Sequence, residues 1–165
     1  MKQRAGFSSL TTYLTRGLLL TSLSLMGCVA TEDDDSNIDV DYDVISSGTD
    51  PVNTDESKFS KVIYNQYDYE SELSYYTTDD ADDIDFDEYR VVVLDLGERD
   101  SDQYSITINS MTKSDYAVTL SYTLTVPGDD CEETSSTNPY AILSINTSLE
   151  VVVQESLDVA SCTES

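Results

Sequence analysis

The chain has 165 residues, with 33 Asp and Glu against 8 Lys and Arg, a formal charge of −25, and neither histidine nor tryptophan. So acidic a surface repels phosphate backbones and anionic headgroups, which excludes nucleic-acid binding and membrane contact through charge. The lack of histidine removes the commonest general base and every Ser-His or Cys-His nucleophile arrangement.

Residues 1–27 read as a removable export leader, in which Lys2 and Arg4 precede an apolar run over 18–26 broken only by threonine and serines. Residues 17–26 are too few to cross a bilayer, which takes about 20 residues as a helix. The run ends in Leu25-Met26-Gly27-Cys28, which resembles the lipobox of bacterial lipoproteins. That resemblance implies lipid, palmitate included, on Cys28, and a place in the cell envelope. Val29 rather than an aspartate follows the cysteine, which implies the outer membrane where the cell has one, and otherwise the outer face of the plasma membrane. Lys2, Arg4 and Arg16 leave with the leader while every acid stays, so the mature chain carries a charge of −28.

Residues 28–57 offer little to bury. Glu32-Asp33-Asp34-Asp35, the alternating Asp39, Asp41 and Asp43, and Ser46-Ser47-Gly48-Thr49-Asp50-Pro51 predict a lipidated, acidic, disordered tether. The run over 39–43 lacks the turn glycine and distal glutamate of a calcium loop, so a solvated spacer is the expectation.

Residues 58–165 are a usual size for one domain. Phe59, Val62, Ile63 and Tyr64 suit a strand, and Tyr69, Leu73 and Tyr76 fall at helical spacing behind acids over 68–76, predicting a short helix. Tyrosines crowd this region, either as a partner surface or as the cover of a small core. Residues 77–88 read as a solvated acidic loop around Ile84 and Phe86. Val91-Val92-Val93-Leu94, inside a strand over 89–96, is continuously apolar, as in a strand buried on both faces. Gly97 ends it, and alternation resumes over 104–108.

From 116 to 126, Tyr116, Val118, Leu120, Tyr122, Leu124 and Val126 alternate with small or hydroxyl residues, the pattern of a strand with one packed face. Pro127-Gly128-Asp129-Asp130 marks a turn. Strands are expected over 139–145 and 149–153, with 157–162 closing the chain. The fold predicted is mainly β (small α+β), an antiparallel sheet or sandwich with one short helix. Cys131 and Cys162 are the thiols left once Cys28 carries lipid, and in an exported chain they are expected to form one disulfide rather than a metal site.

Catalytic constellations are thin. Lys113-Ser114 sits in a predicted turn, without the burial a serine–lysine dyad needs, and no carboxylate pair is set off by an apolar or aromatic environment. The sequence predicts no enzyme, no cofactor and no metal.

Asp85-Phe86, the run Val91-Val92-Val93-Leu94-Asp95-Leu96-Gly97, Tyr104, Ile106, Pro127-Gly128, Cys131 and Thr137-Asn138-Pro139-Tyr140 carry a family likeness. Through them residues 59–162 resemble the protease complex-associated, PrcB-type C-terminal domain. In that family the segment after the glycine reads Thr-Gly-Gly-Tyr; here it is Ser101-Asp102-Gln103-Tyr104, with the spacing from Gly97 to Tyr104 kept. The resemblance implies a lipid-anchored, non-catalytic accessory subunit that binds and stabilises a surface protease. A second class stands beside it, a small-ligand or cation-binding lipoprotein of the cell envelope. A flat apolar or tyrosine-rich patch would favour the first, and a concave pocket with convergent polar groups the second.

Gly97, Tyr104, Pro139 and Tyr140 carry the resemblance and lie outside the alternating core pattern. The 97–104 turn and the 137–140 segment are therefore a candidate partner-binding rim. Pro139-Tyr140 also reads as the start of a strand, proline presetting the backbone and tyrosine capping the core.

Overall fold

A computed structural model of the chain describes residues 38–53, 57–132 and 134–162; the export leader expected over 1–27 and the lipidation expected at Cys28 lie outside the described residues. In chain order the elements are β1 (Ile38–Asp39), β2 (Tyr42–Gly48), β3 (Phe59–Ile63), α1 (Gln66–Leu73), β4 (Tyr89–Asp95), β5 (Ser105–Lys113), β6 (Ala117–Pro127), β7 (Tyr140–Asn146) and β8 (Glu150–Ala160). They form two four-stranded sheets, β1-β5-β6-β8 and β2-β7-β4-β3. Every pairing is antiparallel except β6 with β8. The expectation of a mainly β, largely antiparallel fold with one short helix is met.

The continuous apolar runs of β4 and β7 place them at the centre of the second sheet, where both faces are covered. One face presents Val92, Leu94, Ala141, Leu143 and Ile145 to Met111, Val118, Leu120, Tyr122 and Leu124 of the first sheet. The other presents Val91, Val93, Tyr140 and Ile142 to Tyr69, Leu73 and Tyr76, with Phe86 and Ile84 of the acidic loop packed alongside. The order is thus sheet, sheet, helix with loop, around two cores sharing β4 and β7. At about 1.5–3 kcal/mol per fully buried large apolar side chain, these two strands contribute to both cores at once.

Helix α1 begins where Asn65 caps it. The Asn65 side chain accepts from the Asp68 amide at 2.9 Å, and its own Nδ2 donates to the Asp68 carboxylate at 2.8 Å. The helix therefore starts and stops earlier than the 68–76 expected. Tyr76 follows in the closing turn, its amide donating to the Leu73 carbonyl, and still reaches the core.

Four further expectations are corrected. The tether predicted over 28–57 contains strands: β1 pairs with β5, and β2 pairs with β7 from Tyr42 to Gly48. Backbone pairing suffices to hold β2 at a sheet edge, so it shows little apolar patterning, with Tyr42 and Val44 largely exposed. Strand β5 runs to Lys113 because a bulge between Ile108 and Ser110 shifts its phase, bringing Met111 back to the core face. Tyr116 is 85% exposed and precedes β6, because Ser114 closes the turn onto Ala117. The segments expected over 149–153 and 157–162 are one strand, β8, paired with β6 without interruption from Ala117↔Glu150 to Pro127↔Ala160.

These registers sort the connections to two ends. The chain enters at Ile38 beside Lys113, and there the β5–β6 and β7–β8 turns also lie. At the opposite end lie the segments following Asp95, preceding Tyr140 and following Pro127 and Ala160.

Candidate partner-binding rim

Strand β4 reaches this second end at Asp95 and Leu96, and Gly97 turns the chain with φ 69°, a left-handed conformation that a side chain would strain. Asp95 fixes the turn. Its buried carboxyl accepts from the Gly97 amide and from the Tyr76 hydroxyl, each at 2.7 Å.

The two candidate segments lie side by side. Arg99 and Thr137 exchange both backbone hydrogen bonds, at 2.7 and 2.9 Å, and the Leu96 amide donates to the Pro139 carbonyl at 3.0 Å. Beyond Arg99 the turn is closed by side chains. The Thr134 hydroxyl donates to the Asp102 carboxylate at 2.7 Å and accepts from the Asp102 amide at 2.9 Å, with the buried Ser101 hydroxyl 3.2 Å away. In this way the turn is closed with Asp102 and Gln103 standing where the resembled family carries glycines, the Gln103 amide donating to the Ser101 hydroxyl at 3.3 Å.

Side chains at this end divide into structural and accessible ones. Gly97, Pro139 and Tyr140, singled out in the sequence, are buried. Tyr140 is a core residue: its ring centroid lies 4.7 Å from that of Tyr76, and its hydroxyl is 3.2 Å from the Ser46 hydroxyl. Gly48 sits opposite it, where an added Cβ would come within 3.2 Å of the ring. The reading of Tyr140 as a recognition residue is corrected, because the inner position of β7 directs its ring into the second core. Asn138 is also buried, and neither amide atom has a hydrogen-bond partner among the described residues. Tyr104 is half-buried against the main core, with the Arg99 guanidinium 5.8 Å from its ring centroid. The accessible groups are those that the sequence did not single out: Glu98, Asp100, Asp102, Ser135 and Ser136, around the half-exposed Arg99.

The disulfide expected between Cys131 and Cys162 is present at the same end, with Cα atoms 5.0 Å apart. It joins the segments following β6 and β8, beside the hydrogen bond from the Gly128 amide to the Ala160 carbonyl. The rim is thereby tied to the first sheet.

A second polar cluster lies at the β8 side of the sandwich. Glu155 accepts from the Tyr122 hydroxyl and from Lys58 Nζ at 2.5 Å. Burial, then the hydrogen bond and charge of Glu155, push the Tyr122 hydroxyl well above the ordinary phenol range. For Glu155, burial raises the pKa, but Lys58 and Tyr122 outweigh it and the net shift is downward from 4.5. A lowered folded-state pKa contributes stability above the unfolded value, and that stability is lost as pH falls through the folded one. Glu155→Gln is therefore expected to flatten the acid limb of stability against pH below about 4.5, measured by urea unfolding across pH 3 to 7. An acid limb identical to the parent's would show that the cluster contributes nothing.

Chemically, the rim offers hydrogen-bond donors, acceptors and carboxylates around one guanidinium. Among the described residues, no three His, Cys, Asp or Glu side chains converge on a metal-sized space. One open depression is bordered by Glu98, Arg99, Asp100 and Ser136, and another lies beside α1, bordered by Glu70, Leu73, Ser74 and residues 77–81.

Residues 90–146 match the family model described as PrcB C-terminal. The resemblance read from the Val91 to Gly97 run and from Thr137 to Tyr140 is borne out over these residues, a narrower span than the 59–162 expected. No curated protein and no solved structure matches the chain. The matched span covers β4 to β7, and so includes both central strands and both halves of the rim.

Proposed function

We propose that this chain is a non-catalytic accessory domain of the cell envelope, anchored by lipid on Cys28, that binds and stabilises a surface protease through the rim at the 97–104 and 134–138 segments. The observation that carries the reading is the match over residues 90–146, which contains both of those segments and the strands that join them. Two further features support it. The described chain enters the sheets at Ile38, at the end opposite the rim. The rim is also held rigid by the Arg99–Thr137 bridge and the disulfide, so little ordering entropy opposes binding there.

Crosslinking in cells, followed by identification of what copurifies, tests the partner, and growth with labelled palmitate tests the anchor. Recovery of a protease and a labelled band are expected; an unlabelled soluble protein that crosslinks to no protease would overturn the reading. Within the rim, Glu98→Lys combined with Asp100→Lys is expected to reduce protease capture several-fold at unchanged melting temperature, because both residues are exposed and make no core contact. Tyr104→Ala is expected to lower both, since its ring packs on the core. Full capture by the double lysine variant would move the site away from the rim.

A further inference from the structure

Four strands end the two sheets, and three of them are protected against pairing with another chain. β1 has two residues, β2 is broken by an irregularity between Val44 and Ser46, and β3 has five residues, with Lys61 within it and Lys58 just before it. Short length, bulges and lysine are the usual devices that blunt an edge. β8 is neither short nor bulged and holds no lysine of its own; its one inward charge, Glu155, is paired with Lys58. Its eleven residues, Glu-Val-Val-Val-Gln-Glu-Ser-Leu-Asp-Val-Ala, contain no proline, glycine or base, and its register with β6 is continuous.

Alternate residues of such a strand direct their N–H and C=O groups to the open side. The row of β8 side chains that faces the other sheet begins buried at Val151, then emerges. Leu157 is 64% and Val159 60% exposed, beside the core residue Leu124 and the partly buried Val126 of β6. The opposite row carries two acids, Asp158 and Glu150, the latter also accepting from the Tyr64 hydroxyl at 2.8 Å. Among the described residues the edge therefore combines backbone groups without a strand partner, an apolar ledge and negative charge. A second copy of this chain would bring another strongly acidic surface against it, so complementarity favours a basic occupant.

We propose that the β8 edge takes up an extended, cationic segment of a partner protein as an added strand. Its apolar residues lie on Leu157 and Val159, and its lysines or arginines face Glu150 and Asp158. This is strand addition, in which main-chain hydrogen bonds supply affinity and alternate side chains supply selectivity. The surface lies outside the span matched by the family model and is separate from the rim.

The test uses the purified full chain and a synthetic peptide of alternating lysine and valine, with an alternating glutamate and valine peptide as control. Backbone amide exchange is read residue by residue. The lysine peptide is expected to slow exchange along 150–160 and not along β2 or β3, with affinity falling as salt rises. Leu157→Thr with Val159→Thr, which keeps charge and strand propensity, should weaken binding about tenfold at unchanged melting temperature. Glu150→Gln with Asp158→Asn should remove most of the salt dependence. No protection of β8 at millimolar peptide, equal binding of the glutamate peptide, or undiminished binding by the threonine variant would each overturn the proposal. Protection that grows with protein concentration in the absence of peptide would overturn it in favour of self-pairing. None of these readouts requires the protease, so failure here leaves the rim's role standing, and loss of the rim's role leaves this edge to be judged alone.

Discussion

Replacing Tyr140 by alanine is expected to destabilise the domain by about 3–5 kcal/mol, the range for removing a buried aromatic ring. The ring is 8% exposed, tilted against Tyr76, and seated where Gly48 leaves room for it. Its loss would open a cavity shared by β2, β7 and the segment after α1, which rigid neighbouring strands cannot collapse to fill. Tyr140→Phe keeps the ring and gives up the contact with Ser46, at a cost of about 1 kcal/mol. Leu120→Ala, in the main core, is the companion, expected to cost about 2–5 kcal/mol. Urea unfolding of the three variants measures these differences. A Tyr140→Ala variant as stable as the parent would place the ring at the surface and restore its candidacy for recognition.

The second large effect is expected at the disulfide. Cys131 and Cys162 are 31 residues apart in sequence, and a loop of that length restricts the unfolded chain by about 3–4 kcal/mol in the chain-entropy treatment. Because Ala160 still bonds Gly128 and β8 still pairs with β6, Cys131→Ser with Cys162→Ser is expected to leave the sheets formed while lowering the urea midpoint. Melting of the oxidised parent in the presence and absence of reductant supplies the same comparison without mutation. A parent whose stability is indifferent to reductant would show that the bond contributes little, or that the unfolded chain is already restricted there.

Both effects touch the rim, in different ways. Tyr140 supports it from beneath, through the second core, whereas the disulfide ties the segment that carries Thr134 to the end of β8. Exposed rim substitutions such as those at Glu98 and Asp100 should leave stability alone, and that separation distinguishes recognition from packing.

Side-chain pattern by itself determined much of this protein. The strict alternation of Val118, Leu120, Tyr122 and Leu124 fixed β6 and its buried face, because a period of two has one inner side. The unbroken Val91 to Leu94 run fixed β4 as a central strand, since apolar residues on both faces are tolerated where both are covered. The pairing of Cys131 with Cys162 is expected once Cys28 is assigned to lipid in an exported chain, and the disulfide is present. The family likeness of residues 90–146 was legible in the Val91 to Gly97 run and in Thr137 to Tyr140.

Tertiary structure decided what rests on backbone pairing, which leaves little trace in side-chain pattern. β2 looked like an acidic spacer because an edge strand needs hydrogen-bond partners, here on β7, more than apolar residues. Met111 lay out of phase until the bulge before Ser110 restored it, and β8 appeared as two pieces because its second half emerges from cover with Glu155, Leu157 and Val159 in the inner row. The two candidate segments do lie side by side, but the residues they expose are not the ones singled out in the sequence. Sequence located the two segments, but the Arg99–Thr137 bridge and the central position of β7 turn Pro139 and Tyr140 inward and leave Glu98, Asp100 and Ser136 outside. Which side chain of a loop reaches solvent depends on the strands that the loop joins, and their register is set by contacts distant in sequence.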